Sequence, residues 1–140
     1  MTSSPDTQAE TLIAAVRLES GGAPHAQRIS IGHHAITADE PTSHGGGDAG
    51  PSPMGLLLSA LAACTSITLR MYADRKGWDL GSVHVDAKLL RAGEAQRIER
   101  TIHFGASLSP DQLARLADIA EKTPVTKTLR AGVPMTTHVK

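Results

Sequence analysis

The sequence is nearly all apolar from Met54 to Cys64, and the pattern there has helical spacing. Met54, Leu57, Leu58 and Leu61, continued by Thr65 and Thr68, follow the i, i+3, i+4, i+7 rule. Leu56, Ala60, Ala63 and Ile67 cover the other side, so the first half is apolar all round, the pattern of a central, buried helix. Ser52-Pro53 supplies the start, because serine accepts a bond from the orphan N–H groups and proline is tolerated at the first helical position. Arg70, Asp74, Arg75 and Lys76 bring the far end to water, and Gly77 stands where a left-handed cap belongs. The helix predicted over 53–76 is about 36 Å long.

Downstream the period changes to two. In "SVHVDAKLL" (82–90), Val83, Val85, Ala87 and Leu89 point one way and His84, Asp86 and Lys88 the other. "RIERTIHF" (97–104) alternates less cleanly and follows a turn at Ala92-Gly93-Glu94, which predicts a hairpin with one wet face. Ser109-Pro110-Asp111 opens a second helix, about 110–122, with the stripe Leu113, Leu116, Ala117 and Ala120. Thr123-Pro124 ends it and caps a short helix, "VTKTLR", closed by Gly132; "PMTTHVK" reads as a last strand. Upstream, residues 1–10 read as a disordered tail and 11–19 as a strand ended by Gly21-Gly22. "QRISI" and "AITAD" form a hairpin around Gly32-His33, and the Pro-, Ser- and Gly-rich stretch 40–53 is a loop. The order β-β-β-α-β-β-α-α-β is an α+β fold with a mostly antiparallel sheet, a single domain over 11–140.

Composition narrows the function. A chain of 140 residues fits one domain. With one Trp, one Tyr and one Phe, the core must be built from Leu, Ile, Val and Ala, and so small a core is expected to gain burial from a subunit interface. Fourteen basic residues balance fourteen acidic ones, no basic run exceeds Arg75-Lys76, and there is no aromatic stacking platform, which argues against nucleic acid as a partner. A single cysteine excludes an intrachain disulfide and, without a CxxC pair, argues against a thiolate zinc site. The N-terminus has no apolar core of a signal peptide, and Met54–Cys64 is shorter than the roughly 20 residues a bilayer requires. The expectation is a soluble cytoplasmic protein with no membrane partner.

Candidate chemistry is sparse. The seven histidines are scattered, and His33 and His34, read on one strand, point to opposite sides; no metal or cofactor is implied. His44-Gly45-Gly46-Gly47 resembles an oxyanion loop, but the chain lacks the G-x-S-x-G elbow that such a loop serves. It also lacks the Gly-Lys-Ser/Thr ending of a phosphate loop, which leaves a flexible surface loop. Cys64 has two opposite readings, inert packing or nucleophile. Its place three turns into the helix, away from the N-terminal dipole, favours packing on spacing alone.

The wider segment adds a resemblance. "ADEPTSHGGGDAGPSPMGLLLSALAACTSITLRMYADRKGWDL" resembles the OsmC/Ohr family, the osmotically inducible and organic hydroperoxide resistance proteins, through its Gly-Pro-Ser-Pro entry, Ala-Leu-Ala-Ala-Cys-Thr centre and Tyr-Ala-x-Arg-Lys-Gly exit. The resemblance implies an intertwined homodimer in which two long helices pack against curved antiparallel sheets. It makes Cys64 the candidate catalytic residue, the peroxidatic thiol that attacks an organic hydroperoxide. It also exposes departures. Thr123 stands where the family's resolving cysteine belongs, and Met54-Gly55 where a glutamate follows the helix-starting proline. Ala23 falls where an arginine is expected, with Arg17 and Arg28 as possible substitutes. Two functions follow from the resemblance. One is a one-cysteine hydroperoxide reductase served by an external thiol or dithiol. The other is a non-catalytic dimer that binds a small hydrophobic ligand in an interface pocket.

Overall fold

The computed structural model describes residues 8–20 and 25–140. The chain forms two compact units, residues up to Pro53 and residues from Met54 onward. The first is an antiparallel sheet in the order β1 (Arg17–Ser20), β2 (Gln27–Ile31) and β3 (His34–Ala38), with Leu18, Ile29 and Ile36 in register. The β2–β3 hairpin turns at Gly32-His33 as predicted. The two histidines do not diverge, because His33 sits in the turn rather than on the strand; their rings stack with centroids 4.1 Å apart. The strand expected over 11–19 contracts to Arg17–Ser20, the residues that β2 pairs, and Leu12, Ile13 and Val16 stay exposed without regular structure. Gly21-Gly22, Ala23 and the first seven residues of the expected tail lie outside the described residues.

The glycine-rich loop is not a loose surface loop but is ordered around one carboxylate. Asp39, 2% exposed, accepts N–H bonds from Glu40 (2.7 Å), Ala49 (3.1 Å) and Gly47 (3.3 Å), and its own N–H donates to the Pro51 carbonyl. A 3-10 turn at Thr42–His44 completes the loop. Gly46 has to be glycine there, since a Cβ would stand 2.0 Å from the Glu40 carbonyl oxygen.

The second unit opens with α1 (Pro53–Lys76), which has the bounds the sequence predicts. Its C-terminus is a Schellman motif: Trp78 N–H donates to Ala73 O (2.9 Å) and Gly77 N–H to Asp74 O (3.2 Å). Gly77 takes the left-handed conformation this requires (φ +70°), and Trp78 packs edge-on against Tyr72 at 5.6 Å. The alternating segments form the antiparallel hairpin of β4 (Val83–Ala92) and β5 (Ala95–Phe104), with Val85 opposite Ile102 and Leu89 opposite Ile98. α2 (Pro110–Ala120) starts with a capping box: Ser109 Oγ accepts from Gln112 N–H and the Gln112 side chain accepts from Ser109 N–H. It ends two residues short of the expected 122 in a turn that leads to α3 (Pro124–Ala131). Leu69, Tyr72, Ala73, Leu80, Leu116 and Ala120 are the core, flanked by Trp78, Val83, Ile102, Phe104, Leu108 and Ile119.

Two expectations need correction. α1 is not buried all round: Leu61, Thr65, Leu69, Tyr72 and Ala73 are covered, whereas Ala60, Ala63, Ile67 and Met71 are exposed along another face. Taken as a whole rather than as Met54–Cys64, this helix is long and apolar enough to cross a membrane by length and composition; its buried side is instead part of the core. The last expected strand does not form: residues 132–140 have no ladder partner among the described residues and are exposed throughout.

Candidate functional site

Cys64 lies at mid-helix on α1, half-buried, with its Sγ 4.0 Å from Thr68 Oγ1 one turn on. The next residue, Thr65, is fully buried. Its hydroxyl donates to Leu61 O (2.7 Å) and accepts a bond from Arg100 Nη1 (2.9 Å). Arg100 is on β5 at an inward position of the alternation, between Ile98 and Ile102, and only 11% of its side chain is exposed. The same Nη1 donates to Thr126 Oγ1 (3.0 Å), and Nη2 donates to Ala120 O (3.1 Å) and faces Glu121 Oε1 at 3.7 Å. One guanidinium therefore joins β5, α1 and the α2–α3 junction.

The hydroxyl protons in this network can be assigned by counting. Thr126 gives its one proton to Ala120 O (3.3 Å), so the 2.6 Å contact between Thr123 Oγ1 and Thr126 Oγ1 has Thr123 as donor. Thr123 Oγ1 in turn accepts from Thr126 N–H (3.3 Å) as the N-cap of α3. Thr126 Oγ1 thus receives Arg100 and Thr123 on its two lone pairs, and Ala120 O receives Arg100 and Thr126. No buried side-chain nitrogen or oxygen among the described residues lacks a partner. Thr123 is fully buried in this arrangement, and its hydroxyl is committed to holding α3.

Met54, on the first turn of α1, is half-exposed and lines an open cleft of about 700 Å³. Leu57 and Leu61 of α1, Leu89 and Ile98 of the hairpin and Leu129 of α3 supply its apolar wall. The polar edge contains Arg100 and Thr126, with Arg97 paired to Glu99 (3.1 Å) and Arg130 paired to Glu121. Thus Met54 shares a cleft with members of the Arg100 network, while Cys64, one turn beyond Leu61, is not on its wall. Arg17 and Arg28 are strand residues of the first unit, opposite Ser30 and Glu19 respectively. Among the described residues no three His, Cys, Asp or Glu side chains gather in a metal-binding arrangement. Sequence reading missed Arg100. The available signal was an arginine at an inward position of an alternating strand, a place where a charge survives only if it is paired.

Comparison with known proteins fits this architecture. No curated protein matches the sequence significantly. Among solved structures, an osmotic stress induced and detoxification response protein from Psychrobacter arcticus superposes with a TM-score of 0.73 at 18% identity, over 86% of this chain and 90% of that one. An OsmC like protein from Mycoplasma pneumoniae gives 0.69 at 18% identity, over 86% and 89%. The organic hydroperoxide resistance protein OhrB of Bacillus subtilis gives 0.59 at 20% identity, over 85% and 91%. The sequence model of the OsmC family, described as OsmC-like protein, matches residues 45–138, a span that contains α1 with Cys64, the hairpin with Arg100 and the α2–α3 junction with Thr123. The chain belongs to the OsmC family.

Proposed function

We propose that this protein is a one-cysteine, thiol-dependent hydroperoxide reductase with Cys64 as its nucleophile. The observation that carries the reading is the position of the chain's single thiol: half-buried on the central helix, within the segment that matches the OsmC family. In the first step the Cys64 thiolate attacks the distal oxygen of R–O–O–H. The O–O bond breaks, the distal O–H stays on sulfur so that Cys64 becomes a sulfenic acid, and the expelled alkoxide takes a proton from water and leaves as the alcohol R–OH. Thr123 has no sulfur to resolve it, so an external thiol condenses with the sulfenic acid, releasing water and forming a mixed disulfide. A second thiol restores Cys64 and leaves as the oxidised disulfide. A reducing cytoplasm, where small thiols are plentiful, is the setting this cycle requires.

The reading includes a homodimer. Ala60, Ala63, Ile67 and Met71 form an exposed apolar stripe on α1, with Ile67 at 59% and Met71 at 61% exposure. The segments 8–16 and 132–140, which have no regular structure, expose Leu12, Ile13, Val133 and Met135 without a partner strand among the described residues. A second copy would cover both features and reduce the surface left to water.

The test is consumption of cumene hydroperoxide with an added small thiol, by wild type and by Cys64→Ser. Loss that depends on the enzyme and on Cys64 supports the reading; equal loss from both proteins removes it. A second reading, a binder of a small hydrophobic molecule, is favoured by one observation: the apolar cleft excludes Cys64 from its wall. Under that reading an apolar probe binds wild type and Cys64→Ser equally, and Leu61→Glu abolishes binding.

A further inference from the structure

We infer that Arg100 is the positioning residue for Cys64. The inference rests on Cys64 being the reacting group, and it follows from how α1 is held. A helix packed only through apolar side chains can slide and rotate in its groove, because such contacts are non-directional. Hydrogen bonds from a planar, multi-donor group remove that freedom. Here Arg100 donates to Thr65 Oγ1, the residue immediately after Cys64, and the same guanidinium is fixed on its other side by Thr126 Oγ1 and Ala120 O. Thr65 passes the constraint back along α1 through its bond to Leu61 O. The turn Leu61–Thr65, which includes Cys64, is therefore registered against β5 and the α2–α3 junction by one side chain.

Lysine cannot take over this role. A single ammonium on a flexible stem carries the charge but cannot span two hydroxyls and a carbonyl on different elements in one geometry. The cost of losing the registration is kinetic, since a small misplacement of a reacting group lowers a rate steeply.

The experiment uses the 140-residue chain, whose single thiol makes the alkylation readout specific to Cys64. In Arg100→Gln and in Arg100→Lys, kcat/KM for cumene hydroperoxide falls about tenfold. The loss lies in kcat, and the rate of Cys64 alkylation by iodoacetamide departs from wild type. Thr65→Val, which removes only the α1 end of the bridge, reproduces both changes and serves if the Arg100 variants do not fold; Thr65→Ser, which keeps the hydroxyl, restores both rates. Arg115→Gln is the matched control, because it removes another arginine-to-α1 bond, Arg115 Nε to Tyr72 Oη at 2.9 Å, two turns further on. It lowers the melting temperature and leaves both rates at wild-type values. The inference is overturned if Arg100→Gln and Thr65→Val leave alkylation unchanged, if Arg100→Lys keeps full activity, or if Arg115→Gln moves the rates equally. A wild type that consumes no hydroperoxide removes the reductase reading instead, and the alkylation arm still decides the role of Arg100.

Discussion

Replacing Thr123 by valine tests the reading that the resolving position has become structural. Valine keeps the shape of the side chain and removes its hydroxyl. Thr126 Oγ1 remains satisfied by Arg100 and by its own bond to Ala120 O, so the loss concentrates on Thr126 N–H, which is left without an acceptor at the start of α3. An N-cap is worth roughly 0.5–2 kcal/mol, and an orphaned buried donor costs about 1–3 kcal/mol. The two figures describe the same group and do not add, so the expected destabilisation is about 1–3 kcal/mol. For a chain of this length that is a fall in Tm of roughly 3–10 °C. Thermal unfolding followed by circular dichroism measures it, with Thr123→Ser as the partner variant that keeps the cap and loses a methyl group. The variants separate the roles, because valine removes the cap and serine does not. A Thr123→Val protein that melts with wild type would refute the assignment of Thr123 as the clamp of α3.

Three further outcomes follow from other parts of the molecule. The Ala49 N–H, acting first, with the Glu40 and Gly47 N–H groups and nearby His25, holds the Asp39 carboxyl below its usual range against the opposing effect of burial. A lowered pKa in the folded state means that Asp39 contributes stability in full above its unfolded value, near pH 4, and loses it as pH falls through the folded value. Asp39→Asn should therefore be less stable than wild type at pH 7, with the gap closing below about pH 4 in urea titrations at several pH values; a gap independent of pH would contradict this. Ile67→Glu combined with Met71→Glu adds charge to an exposed helix face and costs a lone chain little, but it prevents burial of that face, so sedimentation should show a wild-type dimer and a monomeric variant. Gly46→Ala would force its Cβ onto the Glu40 carbonyl oxygen and should lower the thermal unfolding midpoint, whereas Gly47→Ala, whose Cβ meets only Asp39 Oδ2 at an ordinary 3.4 Å, should lower it less; equal midpoints for the two variants would contradict this.

Much of the fold was legible because its signals are local. Ser109-Pro110-Asp111 announces the start of α2, Pro53 and Gly77 bracket α1, and the two-residue period of Val83 to Leu89 fixes which face of the hairpin turns inward. What was not legible depends on partners distant in sequence. The apolar run before Arg17 and the segment after Gly132 look like strands, yet a strand needs a ladder, and the described residues supply none for them. The order in the glycine-rich loop comes from Asp39 reaching residues eight and ten positions away, which no local propensity announces. At the candidate site, Cys64 and Thr123 were marked by resemblance. Arg100 broke the strand's apolar alternation, and its role shows only when Thr65, Ala120 and Thr126 are brought to it.

The account turns on whether the Cys64 sulfur is oxidised by a hydroperoxide. The direct measurement is intact mass after the reduced protein meets an equimolar amount of cumene hydroperoxide in the presence of dimedone, which traps sulfenic acids. The account predicts one dimedone adduct per chain in wild type and none in Cys64→Ser. A wild-type protein that keeps its free thiol and gains no adduct, while the hydroperoxide persists, would contradict it.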